Sequence, residues 1–520
     1  MKPETSIIER LRLPVAAPRR AGDDDNMDTY VNQALMSAVH AFSSRWLPAG
    51  FFNTTGSDDQ AARRRFMQTL WDQAHADVLC VLTLPCYRSI LALYLFAITP
   101  LVGSSAMHPV SQMCYETSLR HYLQLRLESR ISLPDVGPNQ HVPNSTDRDE
   151  LDHLEDSAYW FGIVCDVSRS LLRCQPPIVL SGPSAHARVW QLVSRQVEDF
   201  AAQSISMHTS KDILDDATVL QILQMGSSCK TMCWAAITDV QDTLFYERTS
   251  LSFQQSLSFC LDMLQQFEAI FLPLLDKCAR DFLLLSDKSR LGYVWLVLHF
   301  NLGVLILADT LVAGSVALTL DNQVSIDEHR LASTRAVVNV INLVRQLDSF
   351  NMDQPSLLLR DPYPEHASNC LNRAAKSVLG LVQAATITAD AAAIFASALL
   401  QGLQIISQIS FSASEALPTL LNLLHDNGIP VSAKHSSSQT PMGANVSIVL
   451  DSAVTPEMLE HETLKELGQQ AATDPALVSK TIERHEAAEA TPNFGLDYLQ
   501  FIDFTAVTGD WDFDDCFAGA

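Results

Sequence analysis

Apolar residues recur at steps of three and four along most of this chain. In "FQQSLSFCLDMLQQFEAIF", Phe253, Leu257, Cys260, Leu264, Phe267 and Phe271 fall on one side of a 3.6-residue turn, while Gln254, Gln255, Asp262 and Gln266 mostly fall elsewhere. "DELDHLEDSAYWFGIVCDVSRSLLRCQPP" opens with acids and closes with Arg169 and Arg173, charges that match a helix dipole, and Pro176 stops it. Pro109 suits the first turn of another helix, where its missing N–H removes no bond. The longest apolar run, "YVWLVLHFNLGVLILA" (Tyr293–Ala308), is interrupted by His299 and Asn301 and stopped by Asp309. It is shorter than the roughly 20 residues of a bilayer span and predicts a buried core helix. Strand-like alternation is scarce. The pattern predicts an all-α fold.

The same pattern divides the chain. Residues 1–26 form a polar leader, expected to be disordered, and residues 27–426 an all-helical body with loops at 132–146 and 361–368. "NGIPVSAKHSSSQTPMGAN" begins a flexible linker with weak helix over 427–493, and 494–520 is a tail of different composition. No internal repeat of fixed period stands out.

Composition narrows the classes. Apolar residues make up 47% and charged residues 18%, enough for a substantial core, so the chain as a whole is not disordered. The formal charge of −24 repels phosphate backbones and anionic membrane surfaces, which predicts neither direct DNA contact nor membrane binding. The opening "MKPETSIIERLRLP" has no signal-peptide stretch, so the sequons at Asn53, Asn144 and Asn445 are expected to be chance matches. The 11 cysteines lack framework spacing and point to a reducing compartment.

Searches for chemistry return little. No G-x-S-x-G elbow, Walker loop or G-x-G-x-x-G fingerprint occurs, and "HETLK" (461–465) puts Lys465 where H-E-x-x-H needs a second imidazole. "DDNMD" (24–28) has the D-D-x-x-D form with which helical isoprenoid-type enzymes hold magnesium. Its place in the leader favours a solvated acidic run with Asp28 as an N-cap. Cys229 and Cys233, four apart, are a metal pair, a redox pair or core thiols, and core packing is preferred because two further ligands are lacking. Asp166 and Arg169, three apart, make a surface ion pair or, with Arg173, part of a buried network or small-molecule contact. No catalytic residue, cofactor or metal site is assigned, and the expectation is a protein that is not an enzyme.

Two stretches, "NQALMSAVHAFSSRWLP" (32–48) and "EDSAYWFGIVCDVSRSLLRCQPPIVLSG" (155–182), resemble the middle homology region of fungal zinc-cluster transcription factors. The resemblance covers about residues 27–426 and is most specific in the second stretch. It implies an all-helical regulatory domain, nuclear location and control of transcription of metabolic or secondary-metabolite genes, with a homodimer or a related factor as partner. Family members carry a six-cysteine, two-zinc DNA-binding domain. Here the first cysteine is Cys80 and no C-x2-C occurs, so zinc is expected only if a separate N-terminal zinc cluster exists. DNA contact would otherwise come through a partner, and a DNA-independent scaffold or inhibitor of a related factor is the alternative.

The tail "FGLDYLQFIDFTAVTGDWDFDDCFAGA" fits that reading. Leu499, Phe501, Ile502, Phe504, Trp511, Phe513 and Phe517 are apolar anchors set among six aspartates, with no Lys or Arg. Mutual repulsion of the acids keeps such anchors open to a partner's groove, the composition of an acidic activation segment that folds on binding. Its expected partner is the transcription machinery or a coactivator, and a strap docked on the protein's own body is the alternative.

Overall fold

The structure, a computed structural model, describes residues 24–46, 57–99, 109–131, 160, 162–178, 187–209, 213–245, 250–314, 320–350, 355–361, 363–429, 433–435 and 446–448. The described helices are α1 (Asp24–Ser43), α2 (Ser57–Leu79), α3 (Tyr87–Ala97), α4 (Pro109–Ile131), α5 (162–173), α6 (Ala187–Thr209) and α7 (Asp216–Phe245). They continue with α8 (Ser250–Arg280), α9 (Asp287–Ala313), α10 (Leu320–Phe350), α11 (Pro364–Gln383), α12 (Ala389–Ile406) and α13 (Phe411–Asp426). The body is all-helical, as the three-and-four spacing predicts. Two three-residue strands, Ala433–His435 and Val446–Ile448, pair antiparallel within the stretch expected as linker.

Local chemistry sets the helix ends. Ser286 caps α9 by accepting the Ser289 N–H at 3.2 Å. Asp216, at the start of α7, then accepts the Ser286 N–H at 3.2 Å and the Ser289 hydroxyl at 2.7 Å, so one carboxylate ties the starts of two helices together. Thr388 and Ser410 cap α12 and α13 in the same way. Pro364 opens α11, so the turn expected over 361–368 is shorter than the sequence suggests: a proline read as a loop former instead pre-sets the first helical φ. The chain leaves α5 through Cys174 at φ 51°, before the Pro176 that stops it.

Helix α9 is the centre. It packs against α7, α10 and α11, and α7 in turn packs against α8. The predicted core run is buried along its length, with Leu302 and Leu305 at 0% exposure. By length and composition alone, α9, residues 251–280 of α8, and α12 are each apolar enough to cross a membrane. The run Tyr293–Ala308 alone falls short of a span, but the helix that carries it extends further, from Asp287 to Ala313. Most of α9's apolar window is already covered by its neighbours. Two glycines set the α7–α9 approach. A Cβ on Gly226 would lie 2.7 Å from Leu296 Cδ2, and one on Gly303 would lie 2.6 Å from both Trp234 Cδ1 and Nε1. Phe267 of α8 stacks on Phe300 of α9 with centroids 3.8 Å apart. Gln241 of α7 donates to Leu171 O and Thr310 Oγ1, both at 3.3 Å, joining α5, α7 and α9.

A buried polar cluster between the helices

The sequence candidates divide under the structure. The tail residues Leu499, Phe501, Ile502, Phe504, Trp511, Phe513 and Phe517 lie outside the described residues. "DDNMD" is not in a leader: α1 begins at Asp24, and Asp28 is inside that helix, not its N-cap. The reason is that Met27 and Val31, four apart, extend the core-facing pattern upstream and Asp28 gains a partner, Arg88 of α3, at 2.5 Å. Asp28 remains exposed.

Asp166 and Arg169 form a buried network, not a surface pair. Their side chains are 0% and 6% exposed and 3.6 Å apart. Asp166 Oδ1 accepts the Ile178 N–H at 2.9 Å, and Arg169 donates to Gln175 Oε1 and Pro176 O, both at 2.9 Å. These bonds clamp the turn that follows α5. Tyr115 of α4 donates to Cys165 O, holding the other side of the helix. Arg173 is only half-buried, and burial holds its pKa below the usual arginine value. With its acceptors facing backbone of the same turn, the Asp166–Arg169 network is a structural clamp.

Cys229 and Cys233 are core thiols at 0% exposure, beside the equally buried Cys260. Burial pushes the Cys233 thiol well up, reinforced by Cys229, and Cys233 Sγ donates to Met263 O at 3.4 Å. Among the described residues no group of three His, Cys, Asp or Glu side chains is placed to hold a metal ion.

A second polar group closes the junction of α1 with α11. Arg45 is 2% exposed, donates to Phe42 O at 3.2 Å, and lies over the rings of Phe42 and Trp46 at 4.3 and 4.6 Å. Burial lowers its pKa to about 10, against the pull of Glu365 and Asp361. Burial raises Asp361 to about 7, although its carboxylate accepts the Tyr363 N–H at 2.7 Å. Trp46 Nε1 donates to Leu359 O at 3.1 Å across the same junction.

The third group was missed from sequence. Lys230 of α7 is 7% exposed, and its ammonium lies 4.3 Å from the centre of the Trp234 ring, one turn along the same helix. Trp234 is fixed by donating Nε1–H to His299 O at 3.0 Å. The His299 and His366 rings, from α9 and α11, meet edge to face with centroids 5.1 Å apart, and each lies about 6 Å from Trp234. Ser168 Oγ of α5 is 3.0 Å from His366 Nε2. Four helices therefore converge on three basic side chains.

No carboxylate among the described residues lies within ion-pair distance of Lys230. His299 Nε2 and His366 Nδ1 are sealed from solvent without a hydrogen-bond partner. Burial lowers the Lys230 pKa to about 8, opposed by Cys233. Burial, then the charge of Lys230, drives His366 down to about 3. Burial, then His366 and Lys230, holds His299 well below the usual imidazole range. At neutral pH the group is one ammonium beside two neutral imidazoles. The signals in the sequence were faint: a lysine inside "SSCKTMCWAAI", and a histidine interrupting the longest apolar run.

The fold defines an all-α protein with a polar centre enclosed by helices. Comparison with family models, with curated protein sequences and with solved structures gives no match.

Proposed function

We propose that this chain is a transcription regulator, an activator or co-regulator of a metabolic or secondary-metabolite gene set. In this reading the helical body is the regulatory domain and residues 494–520 contact the transcription machinery or a coactivator in the nucleus. The observation that carries it is the tail's composition: seven apolar anchors among six aspartates, with no basic residue, after a polar stretch of more than 60 residues. The resemblance of 32–48 and 155–182 to the middle homology region of fungal zinc-cluster factors supports it, as does the all-helical body. Contact with DNA falls to a partner, a homodimer or related factor, or to a zinc cluster outside these residues.

The test is a fusion of residues 494–520 to a foreign DNA-binding domain, read by a reporter. The wild-type segment is expected to activate it. Changing Trp511, Phe513 and Phe517 together to Ala is expected to abolish activation, and replacing the aspartates by Asn to weaken it. A silent wild-type fusion overturns the proposal.

A further inference from the structure

The Lys230 cluster holds a buried ammonium with no carboxylate within ion-pair distance among the described residues, and that missing counter-charge calls for an anion. An ammonium removed from water without a counter-charge is strongly destabilising, and burial alone does not supply a reason for it. Its contact with the Trp234 face offsets only part of that cost. Such a residue stands at a cost in the middle of a core.

The surroundings point the same way. The Ser168 hydroxyl pairs with His366 Nε2 at 3.0 Å, and His366 Nδ1 is a buried polar atom without a partner, as is His299 Nε2. Ser168, His299 and His366 are half-buried although the residues flanking His299, Leu298 and Phe300, are 1% and 4% exposed. The cluster is therefore less deeply covered on the α5, α9 and α11 side than on the Lys230–Trp234 side. The cluster carries one positive charge, which matches a monoanion better than a dianion. The Trp234 ring next to the ammonium provides an apolar wall for a ligand's carbon skeleton.

We propose that Lys230, His299, His366 and Ser168 form a binding site for a small organic monocarboxylate, with the carboxylate on the Lys230 ammonium and the organic part against Trp234. The ligand joins α5, α7, α9 and α11, so its binding stabilises the folded body by mass action. This site stands apart from the transcriptional reading: a silent tail fusion leaves it intact, and a failure here leaves the tail's activity untouched.

The experiment is thermal unfolding of the full chain at pH 7 with acetate, benzoate, chloride or inorganic phosphate at matched ionic strength. Acetate or benzoate is expected to raise Tm progressively with concentration, and chloride and phosphate are expected not to. Lys230→Met is expected to abolish the carboxylate response, weakening binding about ten- to hundredfold, the range for a lost charge-assisted hydrogen bond. Without ligand, the same variant is expected to melt at or above the wild-type temperature, because it removes an unpaired charge. A purely structural lysine predicts the opposite. His299→Gln and His366→Gln, which keep polar side chains, are expected to weaken the carboxylate response severalfold, and they carry the test if Lys230→Met does not fold. The proposal is overturned if neither carboxylate shifts Tm, if phosphate or chloride shifts it equally, or if Lys230→Met or both Gln variants respond as wild type does.

Discussion

At the scale of single residues, burial governs charge in this protein. His366 is held neutral by its surroundings and by the ammonium of Lys230, with its pKa lowered to about 3 from an ordinary imidazole value near 6.5. A depressed pKa contributes stability that is fully present above the unfolded value and is lost as pH falls through the folded one. In this case the unfolded chain binds a proton below about pH 6.5 that the folded chain refuses until about pH 3. The protein is therefore expected to lose stability through that window. His366→Gln, which keeps a hydrogen-bonding group for Ser168, should flatten the loss. Urea unfolding of both proteins at a series of pH values measures it, and parallel curves would show that His366 does not titrate this way. Asp361 acts in the opposite sense. Its raised pKa favours the folded state as pH falls below about 7, so the His366 effect is read as a difference between variant and wild type.

At the scale of elements, the approach of α7 to α9 is set by what is missing from two residues. Gly303 leaves room for the Trp234 ring, and that ring both covers Lys230 and donates to His299 O, four residues before Gly303 on the same helix. Gly303→Ala puts a methyl group 2.6 Å from two Trp234 ring atoms, so either the ring or the helix must shift. Overpacking of this kind costs about 1–3 kcal/mol. The variant is expected to show that loss in chemical denaturation and, because Trp234 moves, a diminished response to benzoate. Wild-type stability in Gly303→Ala would mean that the α7–α9 contact is looser than the distances indicate. The Asp166–Arg169 clamp shows the same economy: two residues on one helix turn hold the following three-residue turn in place through backbone groups.

Across the whole molecule, thiols report how evenly the body is closed. Cys80 and Cys174 are exposed at the ends of α2 and α5, whereas Cys229, Cys233, Cys260 and Cys370 are fully buried in the core. Burial also pushes the pKa of Cys260 and Cys370 well above the usual thiol value, leaving almost no thiolate to react. Cys80 and Cys174 are expected to react with a thiol reagent in the folded protein, and the four core thiols only at the rate of unfolding. Peptide mass mapping after timed labelling separates the two groups. Early labelling of Cys229 or Cys233 would place an opening in the α7–α8 packing that the structure does not have.

The sequence by itself determined the elements. Helix period is a local property, so Phe253 to Phe271, the run from Tyr293 to Ala308, and Pro109 at a first turn announced helices that the structure places where expected. It also marked Asp166 and Arg169 as a pair to watch, because three-residue spacing puts them on one helix face. What it left open was which face meets which neighbour. Lys230, His299 and His366 lie in three separate helices, 69 and 67 residues apart in the chain, and Ser168 in a fourth. No local pattern records that they meet. The first residues of α1 and α11 were misjudged for a related reason: an acidic run and a Pro-containing stretch are as compatible with a helix start as with a loop, and the Asp28–Arg88 pairing lies 60 residues away in sequence. Burial finally decided the chemistry. A lysine among apolar residues reads as a solvated charge until packing encloses it, and only then does its missing counter-ion become a physical fact about the protein.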